Sequence, residues 1–151
     1  MKFLDCTLRD GGYYTNWNFD SNVVDSYLNA IEKLPVDVIE VGYRSKQLEN
    51  YKGEFYYTPV QTLEKINRLA PSKKIAIMFN EVDIDSKMAV ELLDGKQQYI
   101  DIIRLAVKYW RMDEAIKLAT SIKEMGYEVA FNLMYMSEWM ENEEVRFLVH
   151  S

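Results

Sequence analysis

The sequence is poor in cysteine, histidine and proline, which number one, one and three among its 151 residues. A single cysteine excludes an intrachain disulfide framework and is typical of a protein in the reducing cytoplasm. No histidine lies near Cys6 in sequence to activate it. We therefore expect Cys6 to be a buried, inert thiol and not a nucleophile.

Long apolar runs and clusters of basic residues are also missing. No apolar run approaches the ~20 residues that span a membrane, and the start of the chain shows no charged-then-apolar leader. No Lys/Arg-rich run stands out, and the formal net charge is −6, so nothing supports nucleic-acid binding. We expect a cytoplasmic protein without membrane or nucleic-acid partners.

The bulk composition indicates a folded globular chain. Hydrophobic residues make up 48% and charged residues 28% of the sequence. Its 151 residues can build one domain with a core, so residues 1–151 are taken as a single domain. A complete TIM barrel takes roughly 250 residues, so this chain is too short to form one by itself.

Strand-like and helix-like patterns alternate along the chain, which predicts βα units on a parallel sheet. The predicted strands are Phe3–Leu8, Val38–Tyr43, Lys74–Asn80, Tyr99–Val107 and Glu128–Met134. The predicted helices begin at Asp20 or Ser21, at Thr58 with Pro59 and a Gln61 capping box, at Asp85 or Ser86, at Asp113, and at Ser137. The fold class is therefore α/β.

The strands carry large aliphatic residues on one parity and polar residues on the other. In a barrel the polar parity points inward, and its later members lie at the carboxyl ends of the strands, where barrel enzymes do their chemistry. Its members are Asp5, Thr7, Arg9, Glu40, Arg44, Asn80, Arg104, Lys108 and Asn132. Glu40 and Arg104 fit a structural ion pair and a substrate contact equally well, whereas Asn132 is more suited to face a ligand.

The connection after the second strand is long for a βα loop. It runs over Arg44–Tyr57 and holds Tyr51, Phe55, Tyr56 and Tyr57 among charged residues. A lid over a substrate pocket is one interpretation, and a packed surface loop or an oligomer contact is the favoured one.

The most specific motif is the nine-residue run from Leu4 to Gly12, which reads Leu-Asp-Cys-Thr-Leu-Arg-Asp-Gly-Gly. An arginine beside an aspartate at a strand end can hold an oxyanion and a cation side by side. The two glycines would let the backbone turn sharply beneath them. A surface ion pair next to a tight turn is the simpler alternative.

This run closely resembles the first-strand motif of the DRE-TIM metallolyases, the superfamily related to HMG-CoA lyase. Two later stretches are similar to its 4-hydroxy-2-oxovalerate aldolase branch, namely Asp37–Gly42 and the segment from Ile103–Ala106 to Val129–Met134. The resemblance implies a parallel (β/α) barrel of TIM type, truncated to about its first five βα units. The chain would be the N-terminal portion of such an aldolase barrel.

The resemblance also implies roles for individual residues. Arg9 would stabilise an enolate oxygen, and Asp10 would be one ligand of Mg²⁺ or Mn²⁺. Tyr13 stands where the aldolases have a catalytic histidine base; a neutral phenol is a poor base, so a substrate-orienting donor is the better role. The family's His-x-His pair of metal ligands is missing from this sequence. Glu40 and Asn132, with waters, are candidates to complete the metal shell.

The implied activity is a divalent-metal-dependent aldolase or carbon–carbon lyase acting on a 2-oxo acid, through a pyruvate enolate. As this chain stands, the catalytic site is incomplete. The alternative is a non-catalytic, truncated barrel that acts as a binding or interaction module. Because about five parallel strands leave open edges, we also expect pairing with another copy into a homo-oligomer.

Overall fold

The computed structural model describes residues 1–135 and 137. Five parallel strands in these residues form one sheet whose spatial order follows the chain, β1-β2-β3-β4-β5. The strands are β1 (Leu4–Asp5), β2 (Val38–Tyr43), β3 (Lys74–Asn80), β4 (Ile102–Lys108) and β5 (Glu128–Met134). The helices are α1 (Thr7–Thr15), α2 (Ser21–Ile31), α3 (Glu54–Tyr57), α4 (Val60–Leu69), α5 (Ser86–Leu93) and α6 (Met112–Glu124).

This arrangement confirms the predicted fold class, an α/β chain built as the first five βα units of a TIM-like barrel. The strands form a curled half-barrel with helices between them. The helix predicted from Ser137 onward lies, apart from Ser137, outside the described residues. No helix within residues 1–135 and 137 is long and apolar enough to cross a lipid bilayer.

The main core lies between the outer face of the sheet and the helices. The large apolar side chains predicted for one face of β2, β3 and β4 are buried there. They are Ile39, Val41, Ile75, Ile77, Phe79, Ile103, Leu105 and Val107. The helices contribute buried residues such as Leu28, Leu63, Leu93 and Ile122. On β5, the edge strand of the described sheet, Phe131 of the same parity stays exposed.

The first predicted strand is wrong over most of its length. The chain leaves β1 after Asp5 because the Asp5 carboxylate accepts hydrogen bonds from the Thr7 backbone N–H at 2.9 Å and from the Tyr27 hydroxyl at 2.6 Å. Burial opposes ionisation of Asp5, but these hydrogen bonds outweigh it and lower the pKa of the carboxyl. Such local bonds compete with strand pairing. Asp5 therefore faces α2 and not the inner face, which corrects its predicted orientation.

As a result, Arg9, Asp10 and the two glycines lie inside helix α1 and not in a glycine turn. Gly12 is required there because its Cα lies against the indole ring of Trp17, which a Cβ at this position would overlap. A Cβ at Gly11 would meet the Phe19 ring at an ordinary 3.5 Å. Of the two glycines, Gly12 is thus the one that packing against Trp17 requires.

A bulge in β2 corrects the prediction for Arg44. Against β3, Glu40 pairs with Ala76 and Gly42 pairs with Ile77, so Val41 is one residue too many and the alternation reverses after it. Arg44 consequently points to the helix layer, where Nε donates to the Leu92 carbonyl at 2.5 Å. Its predecessor Tyr43 turns to the inner face in its place.

Two element starts also differ from the predictions. Thr58 was expected to cap α4, but its hydroxyl donates to the Tyr43 carbonyl at 3.0 Å, and Pro59 stands at the N-cap without a side-chain hydrogen bond. β4 begins at Ile102 and not at Tyr99, because the Tyr99 N–H donates to the Lys96 carbonyl in a turn. At the starts of α2 and α5 two residues each were predicted as alternatives, and the structure selects Asp20 and Asp85, whose side chains accept backbone N–H groups.

The two glycines of α1 should respond in opposite ways to alanine. Gly12→Ala forces a methyl group into the Trp17 ring, and we expect it to lower the free energy of unfolding by about 2 kcal/mol or more. Gly11→Ala, its matched control, has room and gains helix propensity, so a rise of about 0.5 kcal/mol is expected. Urea unfolding followed by circular dichroism measures both; equal effects would contradict this packing.

Candidate functional site

The inner face of the sheet carries its side chains in successive steps from the amino to the carboxyl ends of the strands. A small separate apolar cluster on this face is formed by Val38, Ala76 and Ile102. The strand register places Glu40 level with Ala76 and Ile102. Arg104 lies one step further, level with Tyr43, and Asn132 lies one step beyond Arg104. The polar side chains therefore begin beside the apolar cluster and continue towards the carboxyl ends of the strands.

Glu40 is the centre of the polar cluster. Its side chain is 0% exposed, and its two oxygens accept hydrogen bonds from two different arginines. Oε1 accepts from Arg9 Nε at 2.6 Å, and Oε2 accepts from Arg104 Nη1 at 2.5 Å. A buried carboxylate needs such partners, because an unpaired buried charge costs several kcal/mol. Of the two interpretations of Glu40 and Arg104, the structural ion pair is present in the structure.

Arg104 extends the cluster to β5. Its Nη2 donates to the Asn132 side-chain oxygen at 3.0 Å, and the Asn132 amide nitrogen lies 3.5 Å from the sulfur of Met134. The Arg104 side chain is 17% exposed. One continuous network thus joins α1, β2, β4 and β5 through these side chains.

Arg9 and Asp10 form the open end of this network. Arg9 Nη1 donates to Asp10 Oδ1, and the Cys6 thiol donates to Asp10 Oδ2 at 3.0 Å. The Arg9 side chain is 14% exposed, whereas that of Asp10 is 54% exposed. Burial works to lower the pKa of Arg9, but the hydrogen bond and charge of Glu40, with the charge of Asp10, raise it overall. Arg9 is therefore a fixed cation with an exposed carboxylate beside it.

Cys6 is half-buried and not fully buried as predicted. Burial raises the pKa of its thiol, and the hydrogen bond and charge of Asp10 raise it further. A thiol held in its neutral form is a weak nucleophile. The expectation of an unreactive Cys6 agrees with this environment.

Tyr13 lies next to a residue that the sequence interpretation missed. Its hydroxyl is 2.8 Å from the hydroxyl of Tyr43, whose ring is buried while that of Tyr13 is 62% exposed. Burial, and then the hydrogen bond with Tyr13, raise the pKa of Tyr43. Trp17 packs edge-on against both rings, with centroids at 4.8 Å and 5.7 Å. No strand-parity rule could have found Tyr43, because the bulge reverses its orientation.

The long loop after β2 is packed against the end of α1. Gly53 N–H donates to the Asn16 carbonyl at 2.8 Å, and the Lys52 ammonium lies 4.7 Å and 4.6 Å from the ring centroids of Trp17 and Tyr56. These contacts agree with the favoured interpretation of a packed loop. A cavity of about 380 Å³ lies beside it, lined by Ser45, Gln47, Tyr51, Glu54, Tyr57 and Pro59.

The proposed metal ligands differ in how well each could bind a divalent cation. Glu40 and the side-chain oxygen of Asn132 accept arginine N–H groups, so neither fits as a metal ligand in this arrangement. Asp10 is exposed and offers the carboxylate oxygen that Mg²⁺ and Mn²⁺ prefer. Among residues 1–135 and 137, no three acidic, cysteine or histidine side chains gather into a metal-binding group. Asp10 is thus one fitting ligand, and not a complete site.

Comparison with known proteins supports an aldolase-like fold. No family model matches the sequence, and no match was found among the curated proteins. Among solved structures, the chain is similar to the crystal structure of the N-terminal domain of a "putative aldolase" from Bacteroides vulgatus, with 49% identity and a TM-score of 0.93. The match covers 96% of this chain and 48% of that one, so the chain spans about half of its length.

The predicted site residues therefore meet in space. Arg9, Asp10, Glu40, Arg104 and Asn132 form one hydrogen-bonded network. Tyr13 follows Arg9 by four residues in α1 and contacts Tyr43 of β2. Their catalytic, metal-binding and substrate-binding roles stay predictions.

Glu40 should be the most stabilising acid of this network. Glu40→Ala leaves two guanidinium groups without their carboxylate, and we expect the free energy of unfolding to fall by about 3 kcal/mol. Glu128→Ala is the matched control, because its pair with Lys74 is exposed and should cost at most about 1 kcal/mol. Urea unfolding of both variants tests the prediction, which a loss no larger for Glu40 than for Glu128 would refute.

Proposed function

We propose that this protein belongs to the DRE-TIM metallolyases and supplies the N-terminal part of a divalent-metal-dependent aldolase or carbon–carbon lyase that acts on a 2-oxo acid such as pyruvate. The observation that carries the proposal is the position of Arg9. Its guanidinium is held by Glu40 on one side and Asp10 on the other, on the inner face of the half-barrel. The likeness to the N-terminal domain of a "putative aldolase" supports the same class.

Arg9 is suited to bind a developing enolate. In the part of the chain that the structure describes, Nε and Nη1 are engaged by Glu40 and Asp10, and Nη2 has no hydrogen-bond partner. An N–H group held in place before the reaction stabilises a new oxyanion without reorganisation. Cleavage of the bond between carbons 3 and 4 of a 4-hydroxy-2-oxo acid leaves such an enolate. Arg9 Nη2 would donate to its oxygen.

Asp10 would supply one ligand of the cation. When bound, Mg²⁺ or Mn²⁺ would provide Lewis-acid chemistry at the carboxylate and 2-oxo oxygens of the substrate. The other ligands must come from water or from residues beyond those described, because Glu40 and Asn132 are engaged with Arg9 and Arg104. This requirement agrees with a site that is incomplete in the described part of the chain.

Glu40, Arg104 and Asn132 would act mainly by orienting Arg9 in this proposal. Arg104 and Asn132 lie along the same face, and each is partly exposed. A carboxylate of the substrate could contact Arg104 from the open side. Cleavage also requires a base that takes the proton of the 4-hydroxyl group, whose carbon leaves as an aldehyde.

The second candidate is a non-catalytic module that binds an oxo acid or another chain. The engagement of Glu40 and Asn132 with arginines favours it, since two proposed metal ligands are withdrawn from that role. In the described sheet, β1 and β5 each have a strand neighbour on one side only, which would allow pairing with a second copy. Binding without turnover would distinguish this module from the enzyme.

Removing the Asp10 carboxylate should weaken cation binding. In Asp10→Asn we expect the affinity for Mn²⁺ in the presence of pyruvate to fall by about tenfold or more, because one charged ligand is lost. Calorimetric titration measures this directly. Glu124→Gln is the control, an exposed acid at the end of α6 remote from the carboxyl ends of the strands. No binding by the wild type would remove the enzyme proposal.

Removing the Arg9 guanidinium should slow enolate formation. We expect metal-dependent exchange of deuterium into the methyl group of pyruvate to fall by about 10² to 10³ in Arg9→Ala, since an oxyanion donor is lost. Proton NMR follows the exchange, and Arg68→Ala at the exposed end of α4 is the control. Equal exchange rates in Arg9→Ala and wild type would refute the role of Arg9.

A further inference from the structure

We propose that Tyr43 is a positioning residue that holds the hydroxyl of Tyr13 near Arg9, so that Tyr13 donates a hydrogen bond to an oxyanion of the ligand. The inference rests on the proposed function, because it assumes an anionic oxo acid at Arg9. The inference adds Tyr13 to the site as a second hydrogen-bond donor beside Arg9, and Tyr43 as the residue that positions Tyr13.

The first observation is the orientation of Tyr43. The register places Tyr43 opposite Met78, on the same side of the sheet as Glu40 and Ala76, because the extra residue Val41 reverses the alternation. Without the bulge this phenol would point into the helix layer. The bulge therefore brings Tyr43 to the face that carries Glu40 and the Arg9 guanidinium.

The second observation concerns the direction of the hydrogen bond between the two phenols. Tyr43 is 7% exposed and Tyr13 is 62% exposed, with their oxygens 2.8 Å apart. Among residues 1–135 and 137, the contact with Tyr13 is the one hydrogen bond that the Tyr43 hydroxyl makes. A buried O–H left without an acceptor is costly, whereas the exposed hydroxyl can turn to water. Tyr43 is therefore the donor and Tyr13 the acceptor.

The consequence is a free and polarised O–H on Tyr13. A hydroxyl that accepts one hydrogen bond becomes a better donor for the next. Trp17 packs edge-on against both phenol rings and against Tyr56, which restricts their movement. Arg9 and Tyr13 lie four residues apart in α1, and side chains with this spacing lie on the same face of a helix. Arg9 Nη2 and the Tyr13 hydroxyl would then form two donors for one oxyanion. Tyr13 orients the ligand in this arrangement and is not the base.

The test uses oxalate, a planar dianion that resembles the enolate of pyruvate, titrated calorimetrically with Mg²⁺ present. Tyr13→Phe and Tyr43→Phe should each weaken oxalate binding by about tenfold, the loss of one hydrogen bond to an anion. The double variant should bind no more weakly than Tyr13→Phe, because Tyr43 acts through Tyr13. Tyr56→Phe is the matched control, which removes a phenol hydroxyl from the same aromatic cluster but not from the pair.

Two results with oxalate would overturn the inference while leaving the proposed function intact. One is wild-type affinity in Tyr43→Phe. The other is a loss of about a hundredfold in the double variant, which would mean that the two phenols act independently. No oxalate binding by the wild type would instead count against the proposed function and the donor role of Tyr13 together.

The positioning itself has a separate readout without ligand. Carbon-13 at the ring carbon that bears the hydroxyl reports hydrogen bonding at each of the eleven tyrosines, and Tyr13→Phe assigns the Tyr13 signal. Tyr43→Phe should shift that signal and leave those of the remote tyrosines in place. An unchanged Tyr13 signal would overturn the positioning role. If Tyr43→Phe does not fold, the Tyr43 signal is compared between Tyr13→Phe and the wild type. A shift of that signal would support the hydrogen bond between the two phenols, and an unshifted signal would contradict it.

Discussion

The structure depends on one buried carboxylate, that of Glu40, held between the guanidinium groups of Arg9 and Arg104. A charge removed from water in this way needs partners with fixed geometry, since either arginine alone would leave one oxygen unpaired. The two partners come from α1 and β4, and they lie 31 residues before and 64 residues after Glu40 in the chain. The Glu40 side chain therefore connects the Leu4–Gly12 motif to strand β4, and it sets the orientation of Arg9.

This coupling gives one set of contacts two uses. The ion pair between Glu40 and Arg104 was equally compatible with a structural role and with substrate binding. The structure shows the structural pair, and among the residues that the structure describes nothing engages Arg9 Nη2. Preorganisation of a cation is what stabilisation of an enolate requires. Stability and the proposed chemistry are thus served by the same hydrogen bonds.

A second constraint is the bulge at Val41, which exchanges the positions of Tyr43 and Arg44. Arg44 leaves the inner face and donates to carbonyls of the helix layer, while Tyr43 joins Tyr13 and Trp17 beside Arg9. The loop after β2 packs on the same aromatic group through Lys52. The outer part of the site is therefore aromatic and made mainly of residues that no strand pattern indicates.

The sequence by itself determined the parallel βα order and the bounds of three strands, Val38–Tyr43, Lys74–Asn80 and Glu128–Met134. It also located the caps of α2 and α5 to within one residue, at Asp20 or Ser21 and at Asp85 or Ser86, because periodicity and capping are local properties read within a few residues. The tertiary structure decided the rest. The early end of β1 follows from the bond of Asp5 to Tyr27, 22 residues away in the chain. The partners of Glu40 lie 31 and 64 residues from it, and the reversal at Tyr43 depends on pairing with a neighbouring strand. Contacts over such separations form only when the chain folds, so no local pattern contains them.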